Sequence, residues 1–316
     1  MENGGSNEDY DSSLPVEKWC GDEKLYQWKG FWFRLQYLPG TQQVLDHFKP
    51  LPTDVILASF PKTGTTWLKA LLYSVINRSS RDSLKTNHPH MLVPTLEIQL
   101  YDGTQPQSFS SFASTNSPAA RIFATHLPYQ ILADTVKPSD CRMVYVTRNP
   151  KDTLISFWQF VLKSTSYEDP WPLEVAVKKF CSGLIPFGPY YDHVLGYWRE
   201  SLERPEQVFF ITYEELKDEP KPHVKRLAEF LGNPFNGDGE EEVLDEIVGN
   251  CSFEKLSNYE VNKSSEHTQW MNLPFSSFFR KGDVGDHINY LNNEMLESID
   301  AITREKFHGS GFMYGI

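Results

Sequence analysis

Three stretches, far apart in the chain, combine residue types that bind anions. The first is Ser59-Phe-Pro-Lys-Thr-Gly-Thr-Thr-Trp67. Gly64 permits a tight turn, and a helix starting behind it would offer free backbone amides to an anion. Thr63, Thr65 and Thr66 add hydroxyl donors, and Lys62 adds a positive charge. A nucleoside triphosphate loop of the form G-x-x-x-x-G-K-[ST] carries its lysine directly after the second glycine, where it reaches the β and γ phosphates. Here Thr65 holds that place, the first glycine is absent, and Lys62 precedes Gly64. A magnesium triphosphate is therefore poorly served. The second stretch is Val146-Thr-Arg-Asn-Pro-Lys-Asp152, with Arg148 ending an apolar run and Ser156 and Phe160 just beyond. An arginine so placed forks onto a phosphate or forms a structural ion pair. The third, Phe278-Phe-Arg-Lys-Gly-Asp-Val-Gly-Asp286, sets Arg280 and Lys281 beside Gly282, as a flexible basic loop or a solvated turn would. His126, in Ala124-Thr-His-Leu-Pro128, follows another apolar run and has the chemistry of a proton acceptor or of a structural residue.

These residues need a frame. Short apolar runs at 54–59, 121–125, 142–147 and 207–212 have strand length. Between and after them, 65–77, 187–199, 221–231 and 240–248 carry helical spacing, and Pro150 suits the first turn of a helix running to about residue 162. Alternating strands and helices predict an α/β fold in a single domain, a central parallel sheet flanked by helices. Ligands of such sheets lie at the carboxyl ends of the strands, where Lys62, His126 and Arg148 fall. Segments 79–120 and 252–279 read as insertions or lids. The aromatic stretch from Tyr26 to Tyr37 reads as core or as a cover over the acceptor.

Composition narrows the function. With 316 residues and a formal net charge of −12, the chain lacks the general basic surface that nucleic acid or an anionic membrane demands. No run of about eighteen apolar residues suggests a membrane span. Residues 1–15 read as a disordered acidic tail ahead of a domain at 16–316, without secretory or transit features. Four scattered cysteines, none in a CxxC pair, predict reduced thiols and a cytoplasmic protein rather than a disulfide framework or a zinc site.

Taken in order, the three stretches resemble the cytosolic sulfotransferase family, and the plant-type soluble enzymes within it, from about Trp28 to the C-terminus. The resemblance implies a P-loop-like, nucleotide-kinase-like sulfotransferase fold. It also implies transfer of a sulfonate group from 3′-phosphoadenosine 5′-phosphosulfate (PAPS) to a hydroxyl of a small, largely apolar acceptor, leaving adenosine 3′,5′-bisphosphate (PAP), with no metal. Lys62, Thr63, Gly64, Thr65, Thr66 and Trp67 would bind the 5′ end of the donor. Arg148 and Ser156 would hold its 3′-phosphate, with Arg280, Lys281 and Gly282 closing over it. Tyr213 would lie near the adenine, and Cys251, Ser252 and Phe253 would surround the base. His126 matches the family's catalytic base, and Lys62 would stabilise the leaving phosphate. Tyr37, Tyr129 and Phe160 would line the acceptor pocket.

Four departures from the family pattern bear on these roles. Ala124 stands where many animal members carry lysine two places before the histidine, which shifts more load to Lys62. Cys251 replaces a hydroxyl residue. His287 replaces a tryptophan in the third stretch and is expected to face water, with the acceptor as the alternative. Residues 288–292 do not match the family's dimerisation motif, so a family-type dimer is not expected. Two rival functions compete. A small-molecule kinase would need a lysine after Gly64 and a magnesium ligand. A non-catalytic PAPS- or PAP-binding module would have lost Lys62 or His126. The chain has neither kinase feature and keeps both residues.

Overall fold

The structure is a computed structural model that describes residues 13–102, 120–164 and 171–314. Residues 1–12 of the expected tail, and 103–119 of the expected insertion, lie outside the described residues. Four strands, β4 (Val55–Ser59), β5 (Ile122–Thr125), β6 (Arg142–Thr147) and β7 (Val208–Thr212), form one parallel sheet in the order β5-β4-β6-β7. Successive side chains on a strand leave opposite faces. Ile56, Phe123, Met143 and Tyr145 accordingly enter one apolar cluster, while Leu57, Ala124, Val144 and Ile211 enter a second. Both faces must therefore be covered by helices, which is why the strands read as continuous apolar runs.

Helices cover each face. α2 (Thr65–Ile76), α8 (Pro220–Phe230) and α9 (Glu240–Asn250) send Leu68, Leu71, Val224, Leu227 and Ile247 into the second cluster. Against the first lie α3 (Tyr129–Val136), α4 (Pro150–Ser164), α5 (Leu173–Cys181), α6 (Tyr190–Glu203) and α11 (Asn293–Phe307). Two further helices, α7 (Tyr213–Asp218) and α10 (Phe253–Asn258), border the cavity described below, and α1 (Leu38–His47) follows the N-terminal strands. Residues 65–77 and Pro150 to about 162 are helical as expected. The helix expected over 187–199 instead begins at Tyr190 and runs to Glu203. Phe187 has φ 65 and Pro189 is the N-cap, and a residue before proline is turned away from helix, so the start is delayed.

The aromatic N-terminal stretch forms a small antiparallel sheet, β1 (Val16–Cys20), β2 (Glu23–Trp28) and β3 (Phe31–Phe33), in the order β1-β2-β3. Leu25 and Phe33 are fully buried in the first cluster. Each such side chain contributes about 1.5–3 kcal/mol by leaving water. Most of the stretch from Tyr26 to Tyr37 is thus core, although Tyr37 also reaches the cavity, as does Trp19 of β1.

Candidate active site

At the carboxyl ends of β4, β5 and β6 the three anion-binding stretches meet around one cavity, lined by Lys62, His126, Arg148, Ser156, Tyr213 and Arg280 among others. Its first wall is the turn between β4 and α2. Gly64 has φ 118, and a Cβ there would lie 2.9 Å from the Tyr213 ring, so both the turn and the packing demand glycine. The first intrahelical bond of α2 runs from Leu68 N–H to the Gly64 carbonyl (3.0 Å). The amides of Thr65, Thr66 and Trp67 therefore have no acceptor within the helix, and they sit at its positive end.

Tyr213 joins the three stretches. Its ring lies 5.2 Å from Trp67 and 4.6 Å from the Arg148 guanidinium, and its hydroxyl donates to the Gly282 carbonyl at 2.7 Å. Gly282 in turn lies flat on Phe253; a Cβ would come within 2.4 Å of that ring. Asp152 ties the third stretch to α4. It accepts from Arg148 (3.3 Å), from the Gly285 amide (2.7 Å) and from the His287 amide (3.0 Å), and lies 2.8 Å from His287 Nδ1. Although burial opposes it, these partners, His287 and Arg148 foremost, hold its carboxyl down at about 2. His287 is therefore neither turned to water nor aimed at an acceptor. It clasps the loop to α4.

Positive charge is concentrated as expected. Arg280 and Lys281 both pair with Asp286, the latter at 2.6 Å. Among the described residues the buried Nε atoms of Arg148 and Arg280 have no hydrogen-bond partner. Lys62 meets no carboxylate at all among the described residues; its ammonium lies 4.1 Å from the centre of the Phe160 ring. Burial first, then repulsion from Arg280, Lys163 and Arg148, lower its pKa to about 7. Orphaned guanidinium donors, free helix amides and an unneutralised ammonium together form a site short of negative charge. An anionic ligand fits that deficit.

His126 closes the inner end. Its Nδ1 lies 2.8 Å from the Ser59 carbonyl, which only accepts, so Nδ1 carries the proton and Nε2 keeps its lone pair. Burial, with smaller effects of Lys69 and Lys62, lowers its pKa to about 4, so the ring is neutral at physiological pH. Phe187 tilts over it at 5.5 Å, and Tyr37 stacks on Phe187. Tyr37, Phe160, Trp19, Ile98 and Phe278 make the adjoining half of the cavity apolar.

Four residues expected in the site are placed otherwise; Ser252 caps α10, its hydroxyl accepting from the Lys255 amide, and does not line the cavity. Tyr129 does not line the cavity; as the first residue of α3 it packs edge-on against Tyr197, 5.4 Å away. Cys251 is fully buried in the second core cluster with its Sγ 3.6 Å from Ser74 Oγ, while its neighbour Phe253 does reach the cavity. The Thr63 hydroxyl is taken by the Phe60 and Val146 carbonyls, at 2.7 and 3.0 Å, and so binds the turn to β6 rather than offering a donor. Sequence reasoning missed Lys69, His90 and Glu97. Glu97, on a π-helical turn, accepts from the Thr125 hydroxyl (2.9 Å) and the His126 amide (2.7 Å). Its one sequence signal was a carboxylate within an otherwise apolar run, Leu96 to Ile98.

A basic, amide-lined chamber opening onto an aromatic one, at the carboxyl ends of a parallel sheet, is the architecture of a nucleotide-binding α/β protein. The chain belongs to the sulfotransferase domain family, which matches residues 52–311, and it is a sulfotransferase. Cytosolic sulfotransferase 5 of Arabidopsis thaliana is 42% identical over 96% of this chain and 94% of its own. Cytosolic sulfotransferase 8 of the same plant is 44% identical over 95% and 90%. Among solved structures, an Arabidopsis thaliana putative steroid sulphotransferase matches with a TM-score of 0.71 and 36% identity, covering 96% of this chain and 93% of that one. A mouse sulfotransferase complexed with PAP matches with a TM-score of 0.69 and 25% identity, covering 90% and 95%. No described helix is long and apolar enough to cross a membrane.

Proposed function

We propose that this sulfotransferase takes PAPS as donor and places its sulfonate on a hydroxyl of a small, largely apolar acceptor. When bound, the donor supplies an activated sulfonate on a phosphate leaving group. One observation carries the reading. The only ring nitrogen of His126 able to accept a proton belongs to a residue lining the cavity where its basic and aromatic halves join. There the imidazole takes the proton of the acceptor hydroxyl, a weak nucleophile at neutral pH without such help. Lys62 offsets negative charge on the departing phosphate oxygen. The amides of Thr65, Thr66 and Trp67 hold the 5′ end, and Arg148, Ser156 and Arg280 hold the 3′-phosphate. Tyr37, Phe160 and Phe187 receive the apolar body of the acceptor and exclude water. The PAP-bound mouse relative supports this choice of nucleotide, and the names of the Arabidopsis relatives support a cytosolic location.

Thermal unfolding tests the nucleotide. At a concentration one hundred times its Kd, PAP is expected to stabilise the protein by about 2.7 kcal/mol. ATP with magnesium should do far less at the same concentration. Stabilisation by ATP with none by PAP would overturn the assignment. Arg148→Ala should weaken PAP binding by roughly tenfold to a hundredfold, the value of charge-assisted hydrogen bonds to a phosphate. Calorimetric titration showing unchanged affinity would remove Arg148 from the site.

A further inference from the structure

Lys69 lies on α2 three residues after Thr66, so the two side chains share one face of the helix. It is fully buried, and among the described residues no carboxylate lies within ion-pair distance of it. A buried ammonium with no ion pair is destabilising, and burial lowers its pKa to about 7 against the weaker attraction of the Glu97 carboxylate. Its contacts are specific. Nζ lies 3.0 Å from His90 Nδ1 and 2.9 Å from Thr95 Oγ1. His90 Nε2 lies 3.1 Å from Thr66 Oγ1. His90, Thr95 and Thr66 all line the cavity, whereas Lys69 stands behind them.

Donor and acceptor types fix the direction of this chain. An ammonium only donates, so His90 Nδ1 accepts. The neutral ring then carries its proton on Nε2, and Thr66 Oγ1 accepts that bond. The Thr66 hydroxyl keeps its own proton to give away, and it lines the anion turn. Thr95, which takes a second Lys69 proton, pairs with Ala124 of β5. Positive charge thus stands behind the strand where the sequence itself offers only the methyl of Ala124. Lys62 faces the cavity from the Phe160 side; Lys69 acts from behind the turn.

We propose that Lys69, His90 and Thr66 form a one-way donor relay that presents the Thr66 hydroxyl proton, backed by a buried positive charge, to the 5′-phosphate end of the donor. The inference rests on the donor assignment above. Lys69 is a positioning residue, since it acts through His90 and Thr66. An anion arriving at α2 favours the charged form of Lys69, so loading of the site strengthens the relay.

The test compares PAP with adenosine 3′-monophosphate, which lacks the group the relay serves, by calorimetric titration. Lys69→Met removes the charge with little change of shape. Its affinity for PAP is expected to fall about tenfold, as for loss of a charge-assisted hydrogen bond, while its affinity for the 3′-monophosphate stays within about twofold. Its melting temperature, where removal of a buried charge offsets the two hydrogen bonds lost with it, checks that the fold is kept. His90→Phe breaks the relay while Lys69 remains and should show the same selective loss, so the inference does not depend on one variant folding. In a Thr66→Val background, Lys69→Met should cost no further PAP affinity. Equal loss toward both nucleotides, no loss toward either, or an undiminished Lys69→Met effect in the Thr66→Val background would overturn the relay while leaving the donor assignment intact. A parent protein indifferent to PAP would overturn both.

Discussion

Turnover of a His126→Ala variant is expected to fall by roughly 10²–10⁴-fold, the usual contribution of a positioned general base, with affinity for PAP nearly unchanged. The separation of the two effects follows from how the residue is held. Its amide donates to Glu97 at 2.7 Å, and its carbonyl accepts from His193 Nε2 at 3.0 Å. His193 is fixed in turn by Tyr145, whose hydroxyl lies 2.9 Å from its Nδ1, and burial keeps it neutral with a pKa of about 3. These anchors belong to the backbone of residue 126 and survive the substitution. Only the imidazole is lost, and with it the Nδ1 contacts to the Ser59 carbonyl (2.8 Å) and the Ser59 hydroxyl (3.4 Å). Ser59 ends β4 just before the anion turn, and its own hydroxyl stays 2.7 Å from Thr65 Oγ1. The turn therefore keeps its shape. Steady-state turnover read beside calorimetric PAP binding checks the result; parallel loss of both would make His126 a structural residue.

The parallel sheet was legible because each strand is apolar on both faces and is followed by a turn signal and a helical pattern. Gly64 and Pro150 punctuate the chain at the two points that build the socket. The antiparallel strands β1 to β3 were not legible. Their aromatic density overrides the period-2 pattern, since Phe31 and Phe33 are buried and Trp32 between them is partly buried as well. Within the site, the cations declared themselves by charge, but their neutralisation did not. Asp152 and Asp286 read as ordinary helix-start and turn residues, yet they hold the basic loop by contacts more than a hundred residues apart or across a single turn. The lysine of α2 was hidden for the opposite reason. In Leu68-Lys-Ala-Leu71 it breaks an apolar run in a way usually met at a helix surface, whereas here the helix is buried all round. Tyr129 and Cys251 show the converse. Aromatic character suggested Tyr129 for an apolar pocket and family position put Cys251 beside the base, but the structure places both side chains in the core, at the start of α3 and against Ser74.

Lys62→Met is expected to lower turnover by roughly 10²–10³-fold, the range for removing one preorganised group that stabilises a developing anion, and to alter the pH dependence in a way that names the residue. The ammonium sits over Phe160 on backbone with φ 71, in the left-handed region that non-glycine residues rarely occupy, so its direction is set by the turn. Burial and three neighbouring cations bring its pKa to about 7 before any anion is bound. Raising the pH through that value removes the proton and the charge. The donor is anionic and binds the charged form better, so kcat/KM for the donor should decline as the pH rises above about 7, with bound donor extending the charged form to higher pH. His126 acts in its neutral form and has a pKa of about 4, so its own protonation should lower activity only toward that value, whereas Glu97, which holds its amide and whose carboxyl burial raises to about 7, takes up its proton at higher pH. In Lys62→Met the acid limb should stay in place. The alkaline limb should shrink to the part carried by Lys69, which titrates in the same range. Rates measured from pH 4 to 9 at low donor concentration decide the matter. A parent profile flat above pH 7, or full turnover in Lys62→Met, would remove this lysine from charge stabilisation.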